Sequence, residues 1–351
     1  MNIPTLNIPT LNIPTQLNAP AQHRTSVRTA IAFVTIALAT VVLAGCVSFP
    51  APESPGPSAT AQVPEPLGAQ FDVAKEAPPN SSSCDATQSL RPAAQQPEPA
   101  QMPPGSTMDA IFRRGRLIVG TDIGSNLFSF RDPITGDIQG FDVDLAHEIS
   151  RAIFNDPNRI EFRVLSSGER MDALRNQEVD LVIKTMSITC DRLRDISFST
   201  PYYIASQRIL SLRGSGITGP EQLADKRVCA ARGTTSIGRM QQIEPRAKMV
   251  TTTTWADCLV MLQQSQVDAV TTDDAVLAGL ATQDPWAQVV GPSLGQESYG
   301  VGIPVGHDDM VRFVNGTIAE MRASGRWQAM YDKWLSILGP GYGPPQPTYR
   351  D

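Results

Sequence analysis

The sequence predicts an α/β protein, and three features carry that prediction. From Arg116 onward, short apolar runs alternate with segments of helical period. Apolar residues make up 41% of the chain and charged ones 18%, enough to cover both faces of a sheet. Prolines concentrate ahead of that region, 13 of the 29 falling between residues 47 and 107. Within the alternating part, Leu-Ile-Val-Gly-Thr (117–121) reads as a buried strand. Gly140-Phe-Asp-Val-Asp-Leu-Ala-His-Glu-Ile opens a helix in which Phe141, Leu145 and Ile149 recur on one face. A strand over 161–165, a helix over 170–176 and a strand over 179–183 follow. A second series runs strand 227–231, helix 236–242, strand 248–252, helix 254–264 and strand 267–271. Such alternation implies parallel sheets covered by helices, with ligands held beyond the carboxyl ends of the strands.

The net charge of -6 and the lack of a basic stripe give no reason to expect a nucleic-acid partner. The three histidines, His23, His147 and His307, are far apart, so neither a metal site nor a histidine triad is expected, and no cofactor. Residues 1–45 read as a leader and signal peptide. The Leu-Asn-Ile-Pro-Thr repeat of the first 22 residues carries no charge and is given no function. His23-Arg24 and Arg28 then precede an uncharged stretch, Thr29–Phe49, the order of a secretory signal. Its Leu43-Ala44-Gly45-Cys46 resembles the lipobox of bacterial lipoproteins, in which Cys46 takes a diacylglycerol and becomes the N-terminus. An uncleaved transmembrane anchor is the alternative, since about 20 apolar residues can span a bilayer. Either way the folded part lies outside the cytoplasm, anchored at the cell membrane.

Residues 46–107, rich in Pro, Ser, Ala and Gln, read as a tether that buries too little apolar surface to fold alone. Four further cysteines, Cys84, Cys190, Cys229 and Cys258, suit two disulfides in an oxidising compartment, or else buried thiols. Cys229, in a strand, and Cys258, in a helix two elements on, form a plausible pair within one half of the fold. Cys84 with Cys190 would then staple the end of the tether to the other half.

Gly140-Phe-Asp-Val-Asp-Leu resembles the signature of the family 3 periplasmic solute-binding proteins. Ser187-Ile-Thr-Cys-Asp-Arg192 before Ile196-Ser-Phe-Ser, Arg232-Gly-Thr-Thr-Ser236 and Val267-Asp-Ala-Val-Thr-Thr-Asp273 agree in order and spacing. Gly325-Arg-Trp-Gln-Ala-Met-Tyr-Asp-Lys-Trp334 is similar to the family's C-terminal helix, so the likeness spans about residues 108–338. It implies a two-lobed periplasmic-binding-protein fold of type II that closes on its ligand like a jaw. Lobe one would be 108–203 plus 301–338 and lobe two 207–296, with hinge strands near 203–206 and 297–300 and a tail over 339–351.

The resemblance also implies site roles. Arg192 would fork onto a ligand α-carboxylate, as a planar bidentate donor can. On composition alone, Asp191, Arg192, Arg194 and Asp195 form a solvated charge cluster. Thr185 and Ser187 would add donors to the same carboxylate. Thr234 and Thr235 stand where a strand turns into a helix, so free amides there can hold an anion or the turn can serve only as a cap. Asp273 would accept the ligand ammonium, with Asp274 doing the same or capping a helix. Ser167 and Arg170 match positions that hold a distal carboxylate in the glutamate/aspartate branch, and Lys184 adds a second cation. Asp122 can accept from a ligand amide or pair with Lys184 or Arg170. Phe128 is the candidate aromatic lid, or else a core residue.

Two cations against one acid favour glutamate or aspartate as ligand, then asparagine or glutamine. The expected activity is therefore binding, not catalysis: a monomeric receptor handing a polar amino acid to an ABC permease. A membrane sensor taking its input from the same jaw is the alternative partner. A dehydratase on the same fold is the least favoured reading, because the cleft carboxylates are already assigned to binding.

Overall fold

The computed structural model describes residues 64–71, 73–76, 84–341 and 343–351, all within a compact unit, Gln62–Asp351. The leader, the signal stretch and Cys46 lie outside the described residues. Among the described residues no helix is long and apolar enough to cross a membrane.

In chain order the elements begin with β1 (Gln88–Ser89), α1 (Thr107–Arg114), β2 (Leu117–Thr121), β3 (Gly124–Ser125), β4 (Ser129–Arg131) and β5 (Ile138–Gln139). Then come α2 (Phe141–Phe154), β6 (Ile160–Val164), α3 (Arg170–Arg175), β7 (Leu181–Val182) and β8 (Ile196–Phe198). The strand β9 (Tyr203–Leu212) leads to β10 (Arg227–Ala231), α4 (Thr235–Ile243), β11 (Lys248–Thr252), α5 (Trp255–Gln263), β12 (Ala269–Asp273) and α6 (Asp274–Ala281). The chain returns through β13 (Ala287–Tyr299) and ends with β14 (Gly302–Pro304), α7 (Asp308–Ala323), α8 (Arg326–Trp334) and β15 (Thr348–Tyr349).

Two five-stranded sheets result, in the orders β6-β2-β7-β14-β8 and β11-β10-β12-β9-β13. Each is mixed rather than parallel throughout. β2 runs parallel to β6 and β7, and β10 parallel to β11 and β12. β14 and β9 join their sheets antiparallel, because chain crossing between lobes enters from the opposite direction. The crossing pair is β9 with β13, in register from Tyr203↔Tyr299 through Ala205↔Glu297 and on to Leu212↔Ala287 after a shift between Val290 and Gly295.

Local sequence explains the boundaries. Ser106 caps α1 by accepting from the Asp109 amide, and Gly115 ends the helix in the left-handed conformation. Thr254 and Asp257 form a reciprocal capping box that starts α5 at the end of β11. The α2 face Phe141, Leu145 and Ile149 is buried against Leu117, Val119 and Ile183 in the lobe-one core, and lobe two has its own core around Val228, Ile237 and Leu262. Disulfides join Cys229 to Cys258 inside lobe two and Cys84 to Cys190 on lobe one.

The segment expected to be a tether is corrected over much of its described length. Gln70 bridges to Thr251 at the open edge of β11, and Ala69, Phe71 and Val73 pack on the lobe-two core. Leu90 and Met102 are buried in lobe one, and the Ser89 hydroxyl bonds the Phe198 carbonyl at 2.8 Å. The expected tail also pairs back, β15 lying parallel to β1. A few apolar residues among many prolines suffice here because they land on cores already formed, and unpaired edge strands supply the backbone partners.

Candidate ligand-binding cleft

The carboxyl ends of β7, β10, β11 and β12 face one another across the gap between the lobes. There they leave a narrow cavity of about 10 Å³ lined by Ser167, Arg170, Thr185, Ser187 and Arg192 from lobe one. Thr234, Thr235, Ser236, Trp255, Thr272, Asp273 and Val276 line it from lobe two. Eight of the residues singled out from sequence thus meet in one cavity.

Two guanidinium groups dominate its charge. Arg170 donates to the carbonyls of Ser167 at 2.8 Å, Lys184 at 3.0 Å and, across the gap, Gly233 at 3.1 Å. Arg192 donates to the Ser187 carbonyl at 2.6 Å and to the same Gly233 carbonyl at 3.1 Å. No carboxylate pairs with either guanidinium among the described residues, so buried Arg170 and half-buried Arg192 are cations held by neutral acceptors. Burial, and then the nearby charge of Arg192, pull the Arg170 pKa down to about 9. Burial lowers Arg192 as well, opposed by the charges of Glu297 and Asp273. A cation in that position gains from an anion placed beside it.

The acid faces them from lobe two. Asp273 accepts from the Tyr299 hydroxyl through Oδ2, while its buried Oδ1 accepts no hydrogen bond from the described protein. Burial, and then the Glu297 charge, push this carboxyl up to about 8. Glu297 is itself paired with Arg239 at 3.1 Å. An unpartnered buried carboxylate oxygen calls for a cationic donor from outside the chain. Beside it, α4 begins at Thr234 with no side-chain cap, because the Thr234 hydroxyl is turned back to the Ala231 carbonyl at 2.7 Å. The first amides of α4 therefore point at the cavity with the positive end of the helix dipole.

The Phe141-Asp142 step of the helix signature works from behind. Fully buried Asp142 accepts from the Thr185 amide at 2.8 Å and from the Tyr202 hydroxyl at 2.8 Å. Thr185 has φ 41°, left-handed for a β-branched residue, and this bond holds it there. Burial raises the Asp142 pKa to about 7, against those hydrogen bonds.

Four candidates lie elsewhere. Lys184 and Asp122 form a buried ion pair, and Asp122 also accepts from the Ile123 and Gly124 amides and the Ser125 hydroxyl. Burial opposes ionisation of Asp122, but the Lys184 charge and these bonds keep its pKa below the usual value. Both charges are consumed by each other, so neither lines the cavity. Phe128 is fully buried, packed edge-on against Phe141, Tyr203 and Tyr299, and is a core residue, not a lid. Asp274, the first residue of α6, is turned from the cavity and accepts from the Ser206 amide at 3.2 Å and that of Ala275 at 2.8 Å. The aromatic that does reach the cavity is Trp255, the first residue of α5, which sequence reasoning passed over. Its place just past β11, at a strand's carboxyl end, was the available signal.

Residues 117–337, well over half of the chain, match the bacterial extracellular solute-binding proteins, family 3. The chain belongs to this family. The family 3 protein is 31% identical over 230 residues to the ABC transporter glutamine-binding protein GlnH of Bacillus subtilis, covering 65% of this chain and 84% of that one. It is 36% identical over 198 residues to the glutamine-binding protein of Geobacillus stearothermophilus, covering 56% and 76% of the two chains. Among solved structures it superposes on an ancestral amino acid-binding protein described as a precursor of cyclohexadienyl dehydratase, with TM-score 0.61 and 32% identity, over 66% of this chain and 100% of the other.

Proposed function

We propose that this family 3 protein binds a free amino acid between its lobes and delivers it to an ABC importer, with an acidic side chain preferred. One observation carries the reading: a buried and a half-buried guanidinium, neither paired with a carboxylate among the described residues, face a buried carboxylate oxygen that accepts no hydrogen bond from those residues. A zwitterion supplies both missing partners. Its α-carboxylate pairs with Arg192, reinforced by the amides at the start of α4, and its ammonium with Asp273 Oδ1. Lys184 and Asp122 cancel, which leaves Arg170 as the excess cation, and a side-chain carboxylate at that end balances the charge. Glutamate or aspartate is therefore the first choice. Glutamine is the second, favoured by the relatives' names and by the polar hydroxyls of Ser167 and Thr185 beside Arg170. Delivery to a permease is supported by the transporter relatives, and a lipid anchor by Leu43-Ala44-Gly45-Cys46.

A thermal-shift panel of the twenty amino acids tests this, because a ligand bound only by the folded state raises its stability in proportion to ln(1 + [L]/Kd). L-glutamate and L-aspartate should give the largest shifts, and Arg170→Ala should lower those shifts more than that of L-glutamine. A flat panel refutes the receptor reading, and equal losses for all ligands in Arg170→Ala refute the side-chain assignment.

A further inference from the structure

The loop after β2 reaches across the cleft to α6 of lobe two. Asn126, at its tip, donates through Nδ2 to the Thr282 hydroxyl at 2.9 Å and to the Gly279 carbonyl at 3.3 Å, both in or just past α6 of lobe two. Its own Oδ1 accepts from the Leu127 amide at 3.0 Å, so the amide group is oriented with its nitrogen toward lobe two. Thr282 gives its proton to the Gly279 carbonyl at 2.8 Å, leaving a lone pair for Asn126. The backbone meets there too: a Cβ on Gly279 would lie 2.5 Å from the Asn126 carbonyl oxygen. Only a residue without a side chain allows that approach.

The loop is built to hold this shape. Asp122, tied to Lys184, gathers the Ile123 and Gly124 amides and the Ser125 hydroxyl at its base. At its other end Leu127 adopts φ 76° and accepts from the Phe141 amide at 2.9 Å, while Phe128 is sunk in the aromatic core. One turn before Gly279, Val276 of the same helix lines the cavity. The contact therefore seals the rim at α6.

We infer that Asn126 is a positioning residue that latches lobe one onto α6, setting how tightly the closed jaw holds its ligand without touching that ligand. This rests on the receptor reading above. Asp122 and Phe128 then have a shared purpose as the two roots of the latch. A binding-competent closed state made less populated weakens every ligand by the same factor.

The test uses the mature protein with L-glutamate and L-glutamine as probes in calorimetry. Asn126→Ala and Thr282→Val should each weaken both ligands about tenfold and equally, the worth of about one hydrogen bond. The double variant should be no weaker than Asn126→Ala alone, since that change already removes the contact that Thr282 makes. Ligand-free melting temperature should stay near that of wild type. Unchanged affinity, additive losses, or a loss confined to one of the two ligands overturns the latch. If wild type binds neither probe, the receptor reading fails, and solution scattering of the unliganded protein still decides the latch. Asn126→Ala should then have the larger radius of gyration, and superimposable curves overturn it.

Discussion

Replacing Gly233 by alanine should prevent the jaw from closing. This residue has φ 75°, and a Cβ on it would lie 2.7 Å from the Gly168 Cα, 3.0 Å from the Gly168 amide nitrogen and 3.2 Å from the Ser167 carbonyl oxygen. All three atoms are backbone of the opposite lobe, so no rotamer change relieves the clash. Restoring an ordinary carbon–carbon contact requires the lobes to part by roughly 0.8 Å or more. The Gly233 carbonyl would then move beyond hydrogen-bond reach of both Arg170 and Arg192, each now 3.1 Å away. Two hydrogen bonds from charged donors are together worth about 3–6 kcal/mol, which corresponds to roughly 10²–10⁴-fold in affinity. The left-handed backbone adds a cost of roughly 1–2 kcal/mol, present whether the jaw is open or closed. Calorimetry with L-glutamate reads the first effect, and ligand-free thermal unfolding the second. Wild-type affinity together with a lowered melting temperature would show that Gly233 matters only to its own turn and would refute the closure argument.

Three further outcomes follow from the same geometry. Arg192→Ala should remove measurable binding of every amino acid, because losing one member of a buried charge pair costs about 2–5 kcal/mol, and wild-type-like calorimetry counters the α-carboxylate assignment. Asp273 and Asp142 are raised from 3.8 to about 8 and about 7, so the native state holds more protons than the unfolded chain between those values. Their contribution to stability is full below the unfolded pKa and is lost as pH rises through the native one, by up to about 1.4 kcal/mol per pH unit per group. The ligand-free melting temperature should fall from pH 4 toward pH 8, and Asp273→Asn should flatten that fall; an identical profile in the variant removes Asp273 from the account. The Cys84–Cys190 disulfide spans 106 residues, and opening a loop of about that size frees roughly 4–5 kcal/mol of unfolded-chain entropy. Cys84→Ser with Cys190→Ser should melt well below wild type, and an unchanged midpoint argues that the segment 84–107 is held by its packing alone.

The alternating core was legible because each strand and helix there satisfies a local rule. The 227–231 strand matches β10, and 254–264 differs from α5 by one residue at each end, since Thr254 and Asp257 mark the start chemically. What escaped depended on distant partners. β14 has only Gly302-Ile-Pro304, too short for any period, and exists because β7 and β8 flank it. Pairing of β1 with β15 is written in neither segment's composition, only in their meeting. Prolines between 84 and 107 read as unfoldable, but Leu90 and Met102 needed only a groove that the rest of lobe one provides.

The site divides by the same logic. Thr234, Thr235 and Asp273 sit at strand ends and could be placed from position along the chain, because the fold sends such ends to one crevice, whereas Arg192, in a turn well past β7, was placed there only by the family resemblance. The residues whose role the sequence left open, Asp122, Lys184 and Phe128, are also near strand ends, and what separates them is pairing. A charge reaches the cleft as a ligand contact only if no nearer opposite charge claims it, and Lys184 claims Asp122. Sequence shows that both charges exist but not that they meet. Arg170 and Arg192 stand in the opposite condition, surrounded by carbonyls and by each other. On the proposed reading, binding capacity in this cleft resides in what the fold leaves unmatched, while the matched Lys184–Asp122 pair next to it shapes the loop that carries Asn126.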